Sequence, residues 1–293
     1  MAALDNLTKA EYMKRIREVD FVQQFTHGSL AKLIEVLGVT RKIPMMEGTT
    51  MYVYSMTGSL VNNGAVDEGD IIPLSKIEQT KTPVGEITLK KWRKAVSAEA
   101  IKKSGYQTAV VETDAKLLSL VQNGIRTDLF SFLNGTITGA TSVAGTGLQA
   151  ALAAAWGQLQ VKFEDDTAEA VYFVNPLDVA DYLGSATISM QTAFGMNYIE
   201  NFLGLGTVIL SSQITQGTFI ATAKQNFILY YLTMNGDVAQ SFGLTADELG
   251  YIGINSGVQN IERAQIESLV MDGIQFLVEY AGGVVKGTIN SGE

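Results

Sequence analysis

The sequence predicts an α+β chain made of one rigid body and two limbs that the body does not cover. Three observations lead there. Residues 112–134 carry one sustained apolar stripe at helical spacing. Between residues 170 and 280 most apolar residues fall in short runs bounded by turn residues, as buried strands do. Residues 59–85 form a polar, turn-rich stretch that is too long for an ordinary connection and too poor in apolar side chains to make its own core.

The elements follow in order. Residues 1–38 are expected to be helical. Thr8 and Glu11 have capping-box spacing, and Tyr12, Ile16 and Val19 fall at i, i+4 and i+7. A second short helix is expected from Ser29, with Leu30, Leu33, Ile34 and Leu37 on one face and Gly38 as its stop. Both stripes are narrow, so this arm needs another surface to lie on. Met51–Met56 reads as a strand, and a return strand is expected over Glu86–Ala98, where Ile87 and Leu89 alternate with polar neighbours. Together they make a long hairpin, and an isolated two-stranded hairpin is marginal in water. We expect it to project and to be steadied by a neighbouring copy.

Leu118, Val121, Ile125, Leu129 and Phe132 define the helix over 112–134, which Asn134-Gly135 ends. A Gly/Thr-rich connection is expected over Gly135–Gly147, then an alanine-rich helix over Leu148–Gln160. Ala170–Val174 reads as a buried strand stopped by Asn175-Pro176, and Leu177–Leu183 as a short helix. Strands are expected near Thr207–Leu210, Thr218–Thr222 and Phe227–Leu232, with helices near Asp237 and over Thr245–Glu248. Ile266–Val270 and Ile274–Tyr280, separated by Asp272-Gly273, read as strand, turn and strand, and Gly287–Glu293 as a polar tail. No internal repeat is visible.

Composition narrows the function. Of 293 residues, 17% are charged against the ~25% usual in soluble domains, while 46% are hydrophobic. No apolar run approaches the ~20 residues that span a bilayer, and the N-terminus does not read as a signal peptide. Low charge without a membrane segment implies a surface covered by copies of itself. There is no cysteine, which removes disulfides and thiolate chemistry, and one histidine, His27, so a triad or a two-histidine metal site has almost nothing to work with. The net charge of −9 argues against a sequence-specific grip on DNA. An acidic chain can still enclose DNA without holding its phosphates.

Three motifs carry a chemical reading beside a plainer one. Gly145-Thr146-Gly147-Leu148-Gln149-Ala150 fits the dinucleotide fingerprint, with Asp165 and Asp166 about 20 residues on. The preceding Gly/Thr-rich stretch is a poor buried strand, so a flexible connection into a helix is preferred. Asp67-Glu68-Gly69-Asp70 could meet a hard cation, but a solvated turn explains it as well. Lys90-Lys91-Trp92-Arg93-Lys94 suggests nucleic acid when read alone. On a strand its residues split between two faces, and in an acidic chain we expect a carboxylate patch of the next copy, such as the Asp67–Asp70 turn, to be its partner.

Some segments are similar in wording to capsid proteins: Val171-Tyr172-Phe173-Val174-Asn175-Pro176-Leu177-Asp178, Gly217-Thr218-Phe219-Ile220-Ala221-Thr222, and Gly250-Tyr251-Ile252-Gly253-Ile254. With the order of elements, the chain resembles the major capsid proteins of tailed double-stranded DNA bacteriophages, which have the Hong Kong 97 capsid fold. The resemblance spans nearly the whole chain. It implies an N-terminal arm at 1–45, an extended loop at 46–96 and a peripheral domain at 97–147 with its spine helix at 108–134. An axial domain at 148–261 and a return to the peripheral domain with a tail at 262–293 complete it. The implied function is mechanical: hexamers and pentamers of this chain tile an icosahedral head. The implied partners are the chain itself, portal, scaffolding and decoration proteins, and packaged DNA contacted weakly. Assembly would take place in the host cytoplasm and the product would be the virion. No catalysis, cofactor or metal is implied. In some members a loop lysine is cross-linked to an asparagine. Lys76 and Lys81 lie on the matching loop here, but the asparagine and its assisting glutamate have no match. The expected subunit-contact residues are Tyr12, Ile16, Asp67, Glu68, Asp70, Lys76, Lys81, Lys90, Lys91, Trp92 and Arg93. An encapsulin, a nanocompartment shell of the same fold, is the second reading. A soluble nucleotide-dependent enzyme using the Gly145 loop is a remote third.

Overall fold

A computed structural model describes residues 30–61, 65–67, 69–137, 139–164, 169–185 and 189–290. The segment 1–29, with Tyr12, Ile16 and His27, lies outside the described residues, as do Glu68, Asp165 and Asp166.

The first helix, α1 (Leu30–Leu37), buries Leu30, Leu33, Ile34 and Leu37 as its stripe requires. The strands β1 (Arg41–Pro44), β2 (Thr50–Ser59), β3 (Lys76–Glu86) and β4 (Lys90–Ser97) follow. Ser97 then caps α2 (Ala98–Ser104) by accepting from the Ala100 N–H at 3.3 Å. One π-helical turn, Gln107–Glu112, leads into α3 (Thr113–Asn134). Its 22 residues make a rod of roughly 33 Å. Val121, Ile125 and Leu129 of the expected stripe are buried, and Phe130 and Leu133 widen it.

The second half comprises β5 (Thr141–Thr146), α4 (Leu148–Lys162), β6 (Ala170–Val174), α5 (Pro176–Ser185), β7 (Gln191–Ala193), β8 (Met196–Ile199), β9 (Gly206–Leu210) and β10 (Thr218–Ala223). It continues through β11 (Phe227–Tyr231), α6 (Asp237–Phe242), β12 (Thr245–Ala246), β13 (Ile252–Asn260), β14 (Gln265–Asp272), β15 (Ile274–Val278) and β16 (Val284–Asn290).

These strands form four sheets. The largest has seven strands in the order β5-β16-β10-β6-β9-β8-β7. Its side chains alternate as strand geometry demands. Tyr172, Val174, Val208, Phe219, Ala221 and Val285 join α4 in one core, while Val171, Phe173, Ile209, Ile220 and Val284 join α1 and α3 in another. Phe173 connects the parts, meeting Phe130 of α3 edge-on at 5.8 Å and Phe227 of β11 at 6.0 Å. The other sheets are β1-β11-β15, β12-β13-β14-β4 and the pair β2-β3.

Several expectations are corrected. The strand that returns along β2 is β3, Lys76–Glu86, inside the stretch expected to be a polar loop, whereas the segment expected to return, Glu86–Ala98, supplies β4, which pairs with β14 in another sheet. The chain changes sheet at Ile87, which is buried and exchanges main-chain hydrogen bonds with Thr49 and Gly48. The Gly/Thr-rich connection contains β5, an edge strand parallel to β16, held by main-chain pairing and offering no large apolar side chain to signal it. Thr245–Glu248 is no helix. The Asp247 carboxylate accepts from the Tyr251 and Ile252 N–H groups at 2.6 and 2.9 Å, closing a turn. The segments either side of Asp272-Gly273 are not a hairpin, since β14 and β15 lie in different sheets. Gly273 makes that turn where a Cβ would stand 2.5 Å from the Leu232 side chain, so only glycine fits. The tail begins as β16, an interior strand of the seven-stranded sheet, and β13 was not anticipated as a strand.

Candidate assembly surfaces

The hairpin β2–β3 pairs over ten positions, from Thr50 opposite Glu86 to Ser59 opposite Lys76. At ~3.3 Å per residue it reaches about 30 Å. Its root is packed: Met51 and Ile87 enter a core with Ile228, Tyr230, Leu232 and Met271. All of β3 is exposed. At the tip Leu60 is 86% exposed, Ile71 93%, Ile72 77% and Leu74 92%, with Ile77 beside them. Covering one such side chain is worth about 1.5–3 kcal/mol, and this chain covers none of them.

Sequence reasoning missed these tip residues because it counted apolar residues and found too few for a core. The signal was available. Ile71-Ile72 and Leu74 follow directly on an acidic turn in an otherwise polar stretch.

Of the expected contact residues, Asp67, Asp70, Lys76, Lys81, Lys91 and Arg93 are exposed, while Trp92 is half-buried. Lys76 pairs with Glu78 on its own strand, and the Lys81 ammonium stands 3.5 Å from the centroid of the Tyr52 ring. The basic cluster departs from expectation. It splits between two faces, but three of its cations are engaged by acids of the same chain. Lys90 pairs with Asp128 of α3, Arg93 with Glu267 of β14 at 2.9 Å, and Lys94 with Asp114 of α3 at 2.6 Å. The cause is register. Lys90 and Lys94 share the face of β4 that meets α3, while Arg93, on the other face, reaches Glu267 of the neighbouring strand β14.

Lys94 is the deepest of these. Its Nζ also donates to the Val110 carbonyl at 3.0 Å and to the Thr113 hydroxyl at 2.5 Å. Burial draws its pKa below the ordinary lysine value, opposed by the hydrogen bond and charge of Asp114. Ser256 of β13 donates to the other oxygen of Asp114. The start of α3 is thus tied to β4 and β13, and its later turns are tied to the hairpin root through Lys90. Lys91 makes no ion pair among the described residues and remains available at the surface.

The Gly145 loop has a packing explanation. A Cβ on Gly145 would lie 2.3 Å from the Ala151 nitrogen and 2.4 Å from its Cα, so α4 can sit on β5 only because this residue is glycine. The Gly147 N–H donates to the Asn290 carbonyl at 2.8 Å. Gly145→Ala is expected to destabilise the fold by about 1–3 kcal/mol, as overpacking does, with a lowered midpoint in chemical denaturation. An unchanged midpoint would reopen the ligand reading. Among the described residues no group of three or more acidic or histidine side chains could hold a metal ion, and no helix is long and apolar enough to cross a membrane.

No family model matches this chain, and no curated protein matches its sequence. Solved structures do. The capsid of cyanophage P-SCSP1u matches with a TM-score of 0.55 and 9% identity, over 96% of this chain and 94% of that one. A structure from Mycobacterium phage Che8 matches with a TM-score of 0.54 and 12% identity, over 97% and 98%. An encapsulin complex from Synechococcus elongatus matches with a TM-score of 0.50 and 11% identity, over 94% and 93%. The chain has the Hong Kong 97-type capsid fold.

Proposed function

We propose that this chain is a major capsid protein, whose copies form the hexamers and pentamers of an icosahedral phage head around double-stranded DNA. One observation carries the reading: a two-stranded hairpin that joins no other sheet among the described residues, apolar at its tip and bare along β3. A strand pair of this kind is marginal alone and becomes stable against another surface. The surface that every copy can supply is a sister copy. Contacts that repeat head to tail close into rings, and flexible limbs let one surface meet neighbours at slightly different angles. Interfaces of this obligate kind bury more than ~2,000 Å².

Within this reading we assign the arm to 1–45, the loop to 46–96, the spine to α3, and the axial body to 148–261, whose sheet also takes in β5 and β16. Portal, scaffolding and decoration proteins are its expected companions, and the virion its location. A net charge of −9 suits an inner wall that does not grip DNA. The same fold in an encapsulin supports one alternative, a compartment around a protein cargo.

Electron microscopy of purified protein, with nuclease protection of the contents, separates the two. Closed particles holding protected DNA, with a portal at one vertex, are expected. Closed particles holding only protein would favour the compartment. A compact monomer at high concentration would overturn both.

A further inference from the structure

Asp272 ends β14 where the chain turns out of one sheet and into another. It is 1% exposed, and neither carboxylate oxygen has a well-formed hydrogen bond. Groups of this kind are uncommon in folded proteins and call for an explanation.

Its surroundings supply one. Register places Asp272 directly opposite Lys90 of β4 on one side and Ile252 of β13 on the other. Lys90 is paired with Asp128 of α3, and both of those side chains are about one-third exposed. Two carboxylates therefore bracket one ammonium, one of them wet and one dry. The charged groups acting on Asp272 are Lys90 from β4 and Asp128 from α3, while β13 presents Ile252 and β15 presents Ile274, neither titratable. Burial pushes the Asp272 carboxyl from its ordinary 3.8 up to about 7. The charge of Lys90 opposes that shift, the charge of Asp128 adds to it, and the Ile274 N–H opposes it least.

We propose that Lys90 is the moving part of a proton-operated latch. With Asp272 protonated, Lys90 ties the hairpin root to α3 through Asp128. When Asp272 releases its proton to solvent, the buried carboxylate draws Lys90 across to β14 and frees the spine helix from the root. Lys90 lies only a few residues beyond the end of β3, so the exchange alters what holds the hairpin at its base. The latch belongs to the folded subunit and stands without the shell reading. Only its consequence for how the hairpin meets a neighbour rests on that reading.

The sign follows from linkage. A carboxyl whose native pKa lies above its unfolded value binds more protons in the native state. Its contribution is most favourable below about pH 4 and is lost as pH rises toward about 7, after which the cost is complete. Asp272→Asn is neutral at every pH and removes this loss.

Three measurements on the full chain test the proposal, each made on particles and on unassembled subunits alike. Thermal unfolding from pH 5.5 to 8.5 should show the wild type losing stability relative to D272N as pH rises. Infrared difference spectra should show a protonated carboxyl at pH 6 that D272N lacks. Protection factors at the root amides of Gly48 and Ile87, with the intrinsic base-catalysed exchange rate divided out, should fall with pH in the wild type and stay level in D272N. If D272N does not fold, Asp128→Asn, at a position about one-third exposed, decides. It removes the competing carboxylate and should lower the midpoint of the Asp272 titration. A wild type and D272N with parallel pH profiles, no protonated carboxyl at pH 6, or an unmoved midpoint in D128N would each overturn the latch. Absence of particles would count against the shell reading and leave these readouts intact.

Discussion

Replacing Ile71, Ile72 and Leu74 together by serine is expected to abolish particle formation while leaving a folded subunit. The three side chains are at least 77% exposed in the isolated chain, so their loss costs it almost no buried area and the unfolding midpoint should stay within experimental error. In a contact that covers them, each is worth about 1.5–3 kcal/mol, or roughly 5–9 kcal/mol in all before the cost of ordering the tip. Even half of the lower figure weakens one contact by roughly fiftyfold, since 1.4 kcal/mol is tenfold. The loss repeats at every copy, and a shell held by many modest contacts loses them all at once. Sedimentation velocity or light scattering across a concentration series reads the outcome. Particles at wild-type concentration would show that the tip faces solvent in the assembly, and the hairpin argument would fail with it.

How far the fold was legible depended on how each element is held. The stripe of α3 and the run Ala170–Val174 declare themselves because burial is written in their side chains. Strand β5 does not. Thr141–Thr146 carries small residues at a sheet edge, and what places it is main-chain pairing with β16, a partner about 140 residues away that no local pattern can name. Strands β14 and β15 were found as strands and misjoined, because a two-residue Asp-Gly turn fits a hairpin, whereas the crowding of Leu232 against Gly273 that sends the chain into a second sheet is tertiary. The candidate surface divides in the same way. The hairpin's poverty of core was readable from composition. The use of Lys90, Arg93 and Lys94 within the chain was not, because the acids they meet, Asp128, Glu267 and Asp114, become neighbours only once β4 lies between α3 and β14. Asp272 looked like a turn residue for a related reason: its burial depends on three separate strands and a helix.

The pair Lys94–Asp114 is where a single substitution should cost the fold most. Both side chains are about one-tenth exposed, and together they hold the first turn of α3 against β4. Asp114→Ala leaves an ammonium buried with only the Val110 carbonyl and the Thr113 hydroxyl, and it strands the Ser256 hydroxyl. Breaking a buried pair from one side typically costs about 3–5 kcal/mol, because the remaining charge has lost its compensation. Lys94→Met should cost a similar amount through the opposite orphan, Asp114. The double variant Lys94→Met with Asp114→Leu should cost clearly less than the sum of the two single changes, since it leaves no uncompensated charge and replaces the pair by apolar side chains of comparable length. Chemical denaturation of the three variants closes the cycle. Additive losses below about 1 kcal/mol each would place the pair with solvated surface ion pairs, and would mean that the spine helix is positioned by its apolar stripe alone. A strong coupling would mean that the orientation of α3 and the hairpin strand order are fixed by the same lysine-bearing strand, since β4 carries both Lys94 at the helix start and Lys90 at the hairpin root.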